Sequence, residues 1–131
     1  MNYIDTSVIV PALAERHFGH SVCAPLLQTD AVTSTHALAE SFTVLNGIFK
    51  YPNHVVTTAL SRLAKIIAVE AITLDDYLRV LTEARARGIT GGLIYDALHA
   101  QTARRLRVEK IFTYNVSNFE HVAADLVIVE P

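Results

Sequence analysis

A single cysteine, Cys23, stands in this chain of 131 residues, which leaves no internal disulfide framework and no cysteine-based zinc site to build on. It reads as a small buried hydrophobe, the ordinary role of a free cysteine. Long apolar runs are missing too. The composition is 51% hydrophobic, yet no stretch approaches the ~20 residues of a membrane-spanning helix. Met1 leads straight into an apolar run that reads as a strand, so no signal peptide is expected. With one cysteine, a reducing cytoplasm is the expected compartment. Gly-rich phosphate loops, dinucleotide fingerprints and nucleophile elbows are absent, as are repeats, linkers and low-complexity tracts. A formal charge of −2 argues against a protein that coats nucleic acid without selectivity. The length suits one compact domain over residues 1–131 and is too short for two.

What is present is a set of isolated carboxylates. Asp5 is the only charged side chain from Met1 to Ala14, Glu40 the only one from Ala31 to Phe49, and Asp96 the only one from Gly88 to Ala103. Each sits among residues that read as core, and none has a Lys or Arg three or four residues away. A carboxylate in apolar surroundings costs several kcal/mol unless it is hydrogen-bonded, paired or bound to a metal. Three such acids, if the fold brings them together, suit a hard divalent cation that prefers oxygen ligands.

The apolar pattern alternates strands with helices. Met1–Ile4, Ala31–Thr33, Ile66–Ile72, Lys110–Tyr114 and Leu126–Val129 read as strands. Helices are expected over Ser7–Ala14, with Pro11 tolerated near its first turn, over His20–Gln28, and from a Ser34 or Thr35 cap to about Lys50. Further helices are expected over His54–Lys65, from Thr73 to Gly88, and over Leu93–Leu106, with a short helix or loop before the last strand. Thr73 and Asp76 have capping-box spacing. Leu38, Phe42, Leu45 and Phe49 form the apolar stripe of the third helix. This order implies a three-layer α/β/α domain around a central, mostly parallel sheet. Ligands of such sheets bind beyond the carboxyl ends of the strands, where Asp5 falls.

Each acid also has a structural explanation. Asp5 before Thr6 and Ser7 makes a sound helix N-cap, and Ser7 could bond either a ligand carboxylate or a metal-bound water. Glu40 lies on the face of His36, Thr43 and Gly47, whose small neutral residues suggest a groove wall more than a solvated surface. Asp96 shares a face with Gly92, Ala100 and Ala103; as a helix-dipole partner alone it would contribute only about 0.3–1 kcal/mol. His99, one turn on, reads as a packed, structural histidine. His17/His20 and His36/Glu40 have metal-compatible spacing without the further ligands of a zinc site. Arg85, Arg87, Arg104, Arg105, Arg107 and Lys110 crowd the C-terminal third, as a solvated face or a phosphate-binding rim.

Tyr3-Ile4-Asp5-Thr6-Ser7, then Glu40 in a long helix, Tyr95-Asp96-Ala97-Leu98-His99-Ala100, and Ile111-Phe112-Thr113-Tyr114-Asn115 with Asn118-Phe119 together resemble PIN domains. The likeness is strongest to the VapC-like ribonuclease toxins of toxin–antitoxin pairs and spans essentially the whole chain. It implies a metal-dependent endoribonuclease with Asp5, Glu40 and Asp96 holding magnesium or manganese. Ser7 would take the small-hydroxyl position, and Thr113 and Asn115 would line the same pocket. It also implies an RNA substrate, guided by the C-terminal basic cluster, a cognate antitoxin and a homodimer, with no membrane partner. Many PIN domains carry a fourth acid after the Thr113 strand; here Asn115 and Asn118 stand instead, which favours one tightly held metal. Two other readings compete: a non-catalytic binding domain on the same fold, and a phosphatase using Asp5 as nucleophile. The second would want an acid at Ser7 and a nearby lysine, whereas the nearest in sequence is Lys50.

Overall fold

The computed structural model describes residues 1–131. Five strands, β1 (Asn2–Ile4), β2 (Ala31–Ser34), β3 (Ala68–Glu70), β4 (Lys110–Phe112) and β5 (Ile128–Val129), form one sheet in the order β3-β2-β1-β4-β5. Every pairing is parallel, so the expected mostly parallel sheet is wholly so. The chain steps outward from β1 to β2 and β3, then returns to place β4 on the other side of β1. That reversal leaves a crevice at the carboxyl ends of β1 and β4.

Seven helices cover the sheet: α1 (Thr6–Leu13), α2 (His20–Cys23), α3 (Thr35–Phe42), α4 (Asn53–Ile66), α5 (Leu74–Glu83), α6 (Leu93–Leu106) and α7 (Val116–Val122). Consecutive residues of β1 face opposite layers, as the period of two dictates. Ile4 packs with Val8, Leu45, Leu60 and Leu63 on the side of α1, α3 and α4. Tyr3 packs with Val32, Ile111 and Phe119 on the other side, where Leu98, Val80 and Val122 join α6, α5 and α7. These are the three expected layers.

The Thr73/Asp76 capping box is formed in both directions, and α6 has the expected bounds. Four elements differ from expectation. The helix expected over His20–Gln28 is α-helical only over His20–Cys23 and tightens to a 3-10 helix over Ala24–Gln28. Pro11 is the sixth residue of α1, beyond the first turn, so the ladder loses one donor in a helix of 8 residues. The helix expected to reach Gly88 stops at Glu83, and Gly88, with φ 65, ends the turn that follows. The third helix does not continue as an α-helix to Lys50: Thr43–Ile48 is a π-helical turn, with Phe49 N–H bonded to Val44 O at 3.0 Å. The wider turn changes the phase of the apolar stripe. Leu45 stays buried, but Phe49 is 44% exposed rather than in the core.

Candidate active site

Asp5 ends β1 and caps α1, accepting weakly from Ser7 N–H at 3.4 Å. Its Oδ2 also accepts from Ser7 Oγ at 2.8 Å and Thr113 Oγ1 at 2.8 Å. Both hydroxyls are in turn held by backbone: Tyr114 N–H donates to Ser7 Oγ, and Asn115 N–H to Thr113 Oγ1, each at 2.9 Å. Each hydroxyl therefore spends its one proton on Asp5. The capping role and the buried, hydrogen-bonded role coexist, and Asp5 Oδ1 makes none of these bonds. Of the two partners open to Ser7, the geometry provides the carboxylate.

Glu40 reaches the same crevice from α3, whose N-cap is Ser34. His99 Nε2 lies 2.6 Å from Glu40 Oε1, and Thr6 Oγ1 donates to the same oxygen at 3.3 Å. His36 Nε2 is 3.3 Å from it too, but off the hydrogen-bonding direction, which leaves that buried nitrogen without a hydrogen-bond partner. Burial pushes Glu40 up, but the His99 bond and the charges of His99 and His36 outweigh it, holding Glu40 below the usual carboxylate range. Burial pushes His36 down, and the ring stacks on Tyr95 at 5.0 Å between centroids.

His99 is the residue sequence reasoning undervalued. It is buried on α6 with Nδ1 2.6 Å from Tyr3 Oη and 3.3 Å from Ser34 Oγ, and with Nε2 3.9 Å from Asp5 Oδ1. Burial works against its charge, whereas Glu40, Asp5 and Asp96 work for it, and the balance lies above the ordinary imidazole range. Ring or carboxylate atoms of His36, Glu40 and His99 lie within 4.8 Å of one another, but both His99 nitrogens are engaged, by Tyr3 and Ser34 on one side and Glu40 on the other, so His99 positions Glu40. Its spacing of three from Asp96 was the available signal. The outer pair, His17 and His20, instead serves the loop: His17 Nδ1 accepts from Gly19 N–H, and His20 Nδ1 contacts Pro11 O.

Asp96 stands in the first turn of α6, half-buried, with Oδ2 accepting from Asn118 Nδ2 at 3.0 Å. Burial and then the Asp5 charge lift its carboxyl to about 6. No Lys or Arg makes an ion pair with Asp5, Glu40 or Asp96. Asp5, Ser7, Glu40, Asp96 and Asn115 line one cleft of about 280 Å³, with Thr6 and His17 at its walls. Thr113 does not line it: fully buried, it sits behind Asp5 as a donor. Of the two amides after β4, Asn118 touches Asp96, whereas Asn115 lines the cleft.

Half of the basic cluster expected to guide RNA is committed elsewhere, whereas Arg85, Arg107 and Lys110 make no ion pair. Arg104 forms a two-bond fork with Asp125 at 2.7 and 2.6 Å. Arg105 engages Asp76 and Ala71 O, and Arg87 pairs with Glu83. Arg104 also lies eight residues, about 12 Å, along α6 from Asp96. These arginines lock helices together.

Oxygen ligands predominate in the cleft, one Asp5 oxygen accepts no hydrogen bond, and Asp96 is raised by burial first and then by the Asp5 charge; this donor set fits a hard divalent cation. No helix of the chain is long and apolar enough to cross a membrane.

The family model described as PIN domain matches residues 3–125. Ribonuclease VapC27 of Mycobacterium tuberculosis is 33% identical over 111 residues, covering 81% of this chain and 79% of that protein. Among solved structures, Mycobacterium tuberculosis VapC20, described as a sarcin-ricin loop cleaving toxin, superposes with a TM-score of 0.78 at 20% identity, covering 100% of both chains. VapBC2 from Rickettsia felis, bound to a promoter DNA fragment, gives 0.71 at 20% identity, covering 100% of this chain and 99% of that one.

Proposed function

The chain belongs to the PIN-domain family, and from that premise we propose that it is the endoribonuclease toxin of a toxin–antitoxin pair, a single nuclease domain over 1–131 that hydrolyses RNA phosphodiester bonds. One observation carries the reading. Three acids from three separate elements, Asp5, Glu40 and Asp96, meet at the carboxyl end of β1 with no cationic side chain from Lys or Arg to offset them.

Asp5, Glu40 and Asp96 would hold magnesium or manganese, which supplies a water of lowered pKa and offsets charge on the phosphoryl oxygens. The chain's own groups do the positioning. Thr113 and Ser7 fix Asp5 through Oδ2, so that Oδ1 faces the cleft in one orientation. His99, anchored by Tyr3 and Ser34, holds Glu40 through Oε1 and keeps it ionised. Asn118 steadies Asp96 through Oδ2. Ser7 Oγ serves to position: it donates to Asp5 Oδ2 and accepts from Tyr114 N–H, so it links the carboxylate to the backbone after β4. The cleft also supplies no lysine for an aspartyl-phosphate mechanism.

The proposed partners are RNA, a cognate antitoxin and a second copy of the chain, in the cytoplasm. Leu74, Leu78 and Leu81 form an exposed apolar row on α5 that supports a protein contact. The test is cleavage of single-stranded RNA during a magnesium titration. Cleavage should require the cation, and Asp5→Asn, Glu40→Gln and Asp96→Asn should each lower it about a hundredfold or more without unfolding the protein. Two of these together should cost little beyond one, since all act on the same cation. Cleavage persisting in chelator would count against the reading.

A further inference from the structure

A second cleft, of about 540 Å³, adjoins the acidic one and is lined by Ala14, Arg16, His17, Phe18, Phe49 and Tyr51. His17 lines both clefts, so the two are neighbours across one side chain. The character of this cleft is aromatic and cationic where the first is acidic. Phe18 is 93% exposed, and its ring stacks on His17 at 4.4 Å between centroids with 28° between planes. One face of Phe18 is thus backed by an imidazole and the other is open. Phe49 borders the cleft because the π-helical turn removes it from the core, and its ring lies 6.0 Å from His17. Arg16 is exposed and makes no ion pair, unlike Arg87, Arg104 and Arg105.

The loop that carries these groups is pinned in place. His17 N–H bonds to Ala14 O, His20 N–H to His17 O, and Gly19 N–H to His17 Nδ1. A Cβ at Gly19 would stand 3.3 Å from His17 Nδ1, so the small residue lets the turn close on the ring. The backbone of the loop and the His17 ring that backs Phe18 are therefore held before any ligand arrives. Stacking on a fixed aromatic ring is sequence-tolerant and is how single-stranded nucleic acids are commonly held.

Resting on the ribonuclease reading, we propose that this cleft is a base-stacking subsite for single-stranded RNA. A nucleobase adjacent to the scissile phosphodiester stacks on the open face of Phe18, with Arg16 against the backbone. An unlike occupant, such as an apolar segment of a partner protein, would need no flat open ring face and no free arginine.

The test compares wild type with Phe18→Ala, Phe18→Leu and Phe18→Tyr on a mixed-sequence single-stranded RNA with magnesium. A parallel arm follows the fluorescence of a 2-aminopurine-containing oligoribonucleotide bound by each protein in the Asp96→Asn background. Phe18→Ala should raise KM about tenfold, leave kcat within about twofold, and abolish quenching of the fluorescent base. Phe18→Tyr should restore both, whereas Phe18→Leu should not. Phe18 is exposed, so melting temperatures should agree across the set. An unchanged KM in Phe18→Ala, or Phe18→Leu performing as well as Phe18→Tyr, overturns the subsite while leaving the ribonuclease reading intact. If the wild type cleaves no RNA, that reading falls, and the quenching arm still decides the subsite: loss with Phe18→Ala supports it, indifference overturns it.

Discussion

Two aspartates in this molecule meet opposite fates. Asp76, at the start of α5, is buried, yet its carboxyl lies below the usual range: burial pushes it up, but Arg105 and the Thr73 bonds outweigh that. Asp96, at the start of α6, is only half-buried, yet its carboxyl rises to about 6, lifted by burial and by Asp5. Both occupy a first helical turn and both accept a side-chain hydrogen bond. An arginine makes the difference. The α5–α6 side matches its acids with cations, as in Asp76–Arg105, Asp75–Arg79 and Asp125–Arg104. The cleft gathers three acids and offers them only histidines. Charge left uncompensated by the protein is a structural liability that a bound cation would relieve.

Removing the match at Asp76 should give the largest stability change. Asp76→Asn should destabilise the fold by about 2 kcal/mol at neutral pH, since hydrogen bonds to charged groups are worth roughly that much. The sign of the pH dependence follows from the depressed carboxyl. Its stabilisation is present above the unfolded value of about 3.9 and is lost as pH falls through the lower folded value. Urea unfolding of the two proteins should therefore differ at pH 7 and converge in strong acid. A gap that persisted there would mean that the pair acts through shape and not charge.

A smaller effect should follow from adding charge to the unmatched side. Asn118→Asp replaces the donor on Asp96 with a carboxylate, and should lower the magnesium concentration that gives half-maximal cleavage. Asn115→Asp, at the cleft wall, should lower it less, and Asn115→Ala should weaken activity less than any change to the three acids. Metal-dependence curves for the set would check the order. If Asn115→Asp shifted the curve further than Asn118→Asp, the contact between Asn118 and Asp96 would not mark the fourth ligand position.

The isolation of Asp5, Glu40 and Asp96 in the sequence was legible because apolar neighbours and missing i,i+4 cations are local facts. So were the bounds of α6 and the Thr73 capping box. The partners of the arginines were not, because Arg105 meets Asp76 across 29 residues and Arg104 meets Asp125 across 21. A basic cluster looks the same in sequence whether it awaits phosphate or already holds carboxylates. The π-helical turn at Thr43–Ile48 escaped for a different reason: one widened turn breaks a 3.6 period without changing the residues that carry it. His99 fell between these cases. Its spacing from Asp96 was visible, but its bonds to Tyr3 and Glu40 span 96 and 59 residues.

The central claim is that the cleft acids repel one another until a cation joins them. Its most direct test is the melting temperature of wild type and Asp96→Asn, each with and without millimolar manganese. Without metal, Asp96→Asn should melt above the wild type, because one repelling charge is gone. Manganese should raise the wild-type melting temperature and leave Asp96→Asn nearly unmoved. A wild-type curve that ignores the metal, or an Asp96→Asn protein less stable than the metal-free wild type, would contradict the account.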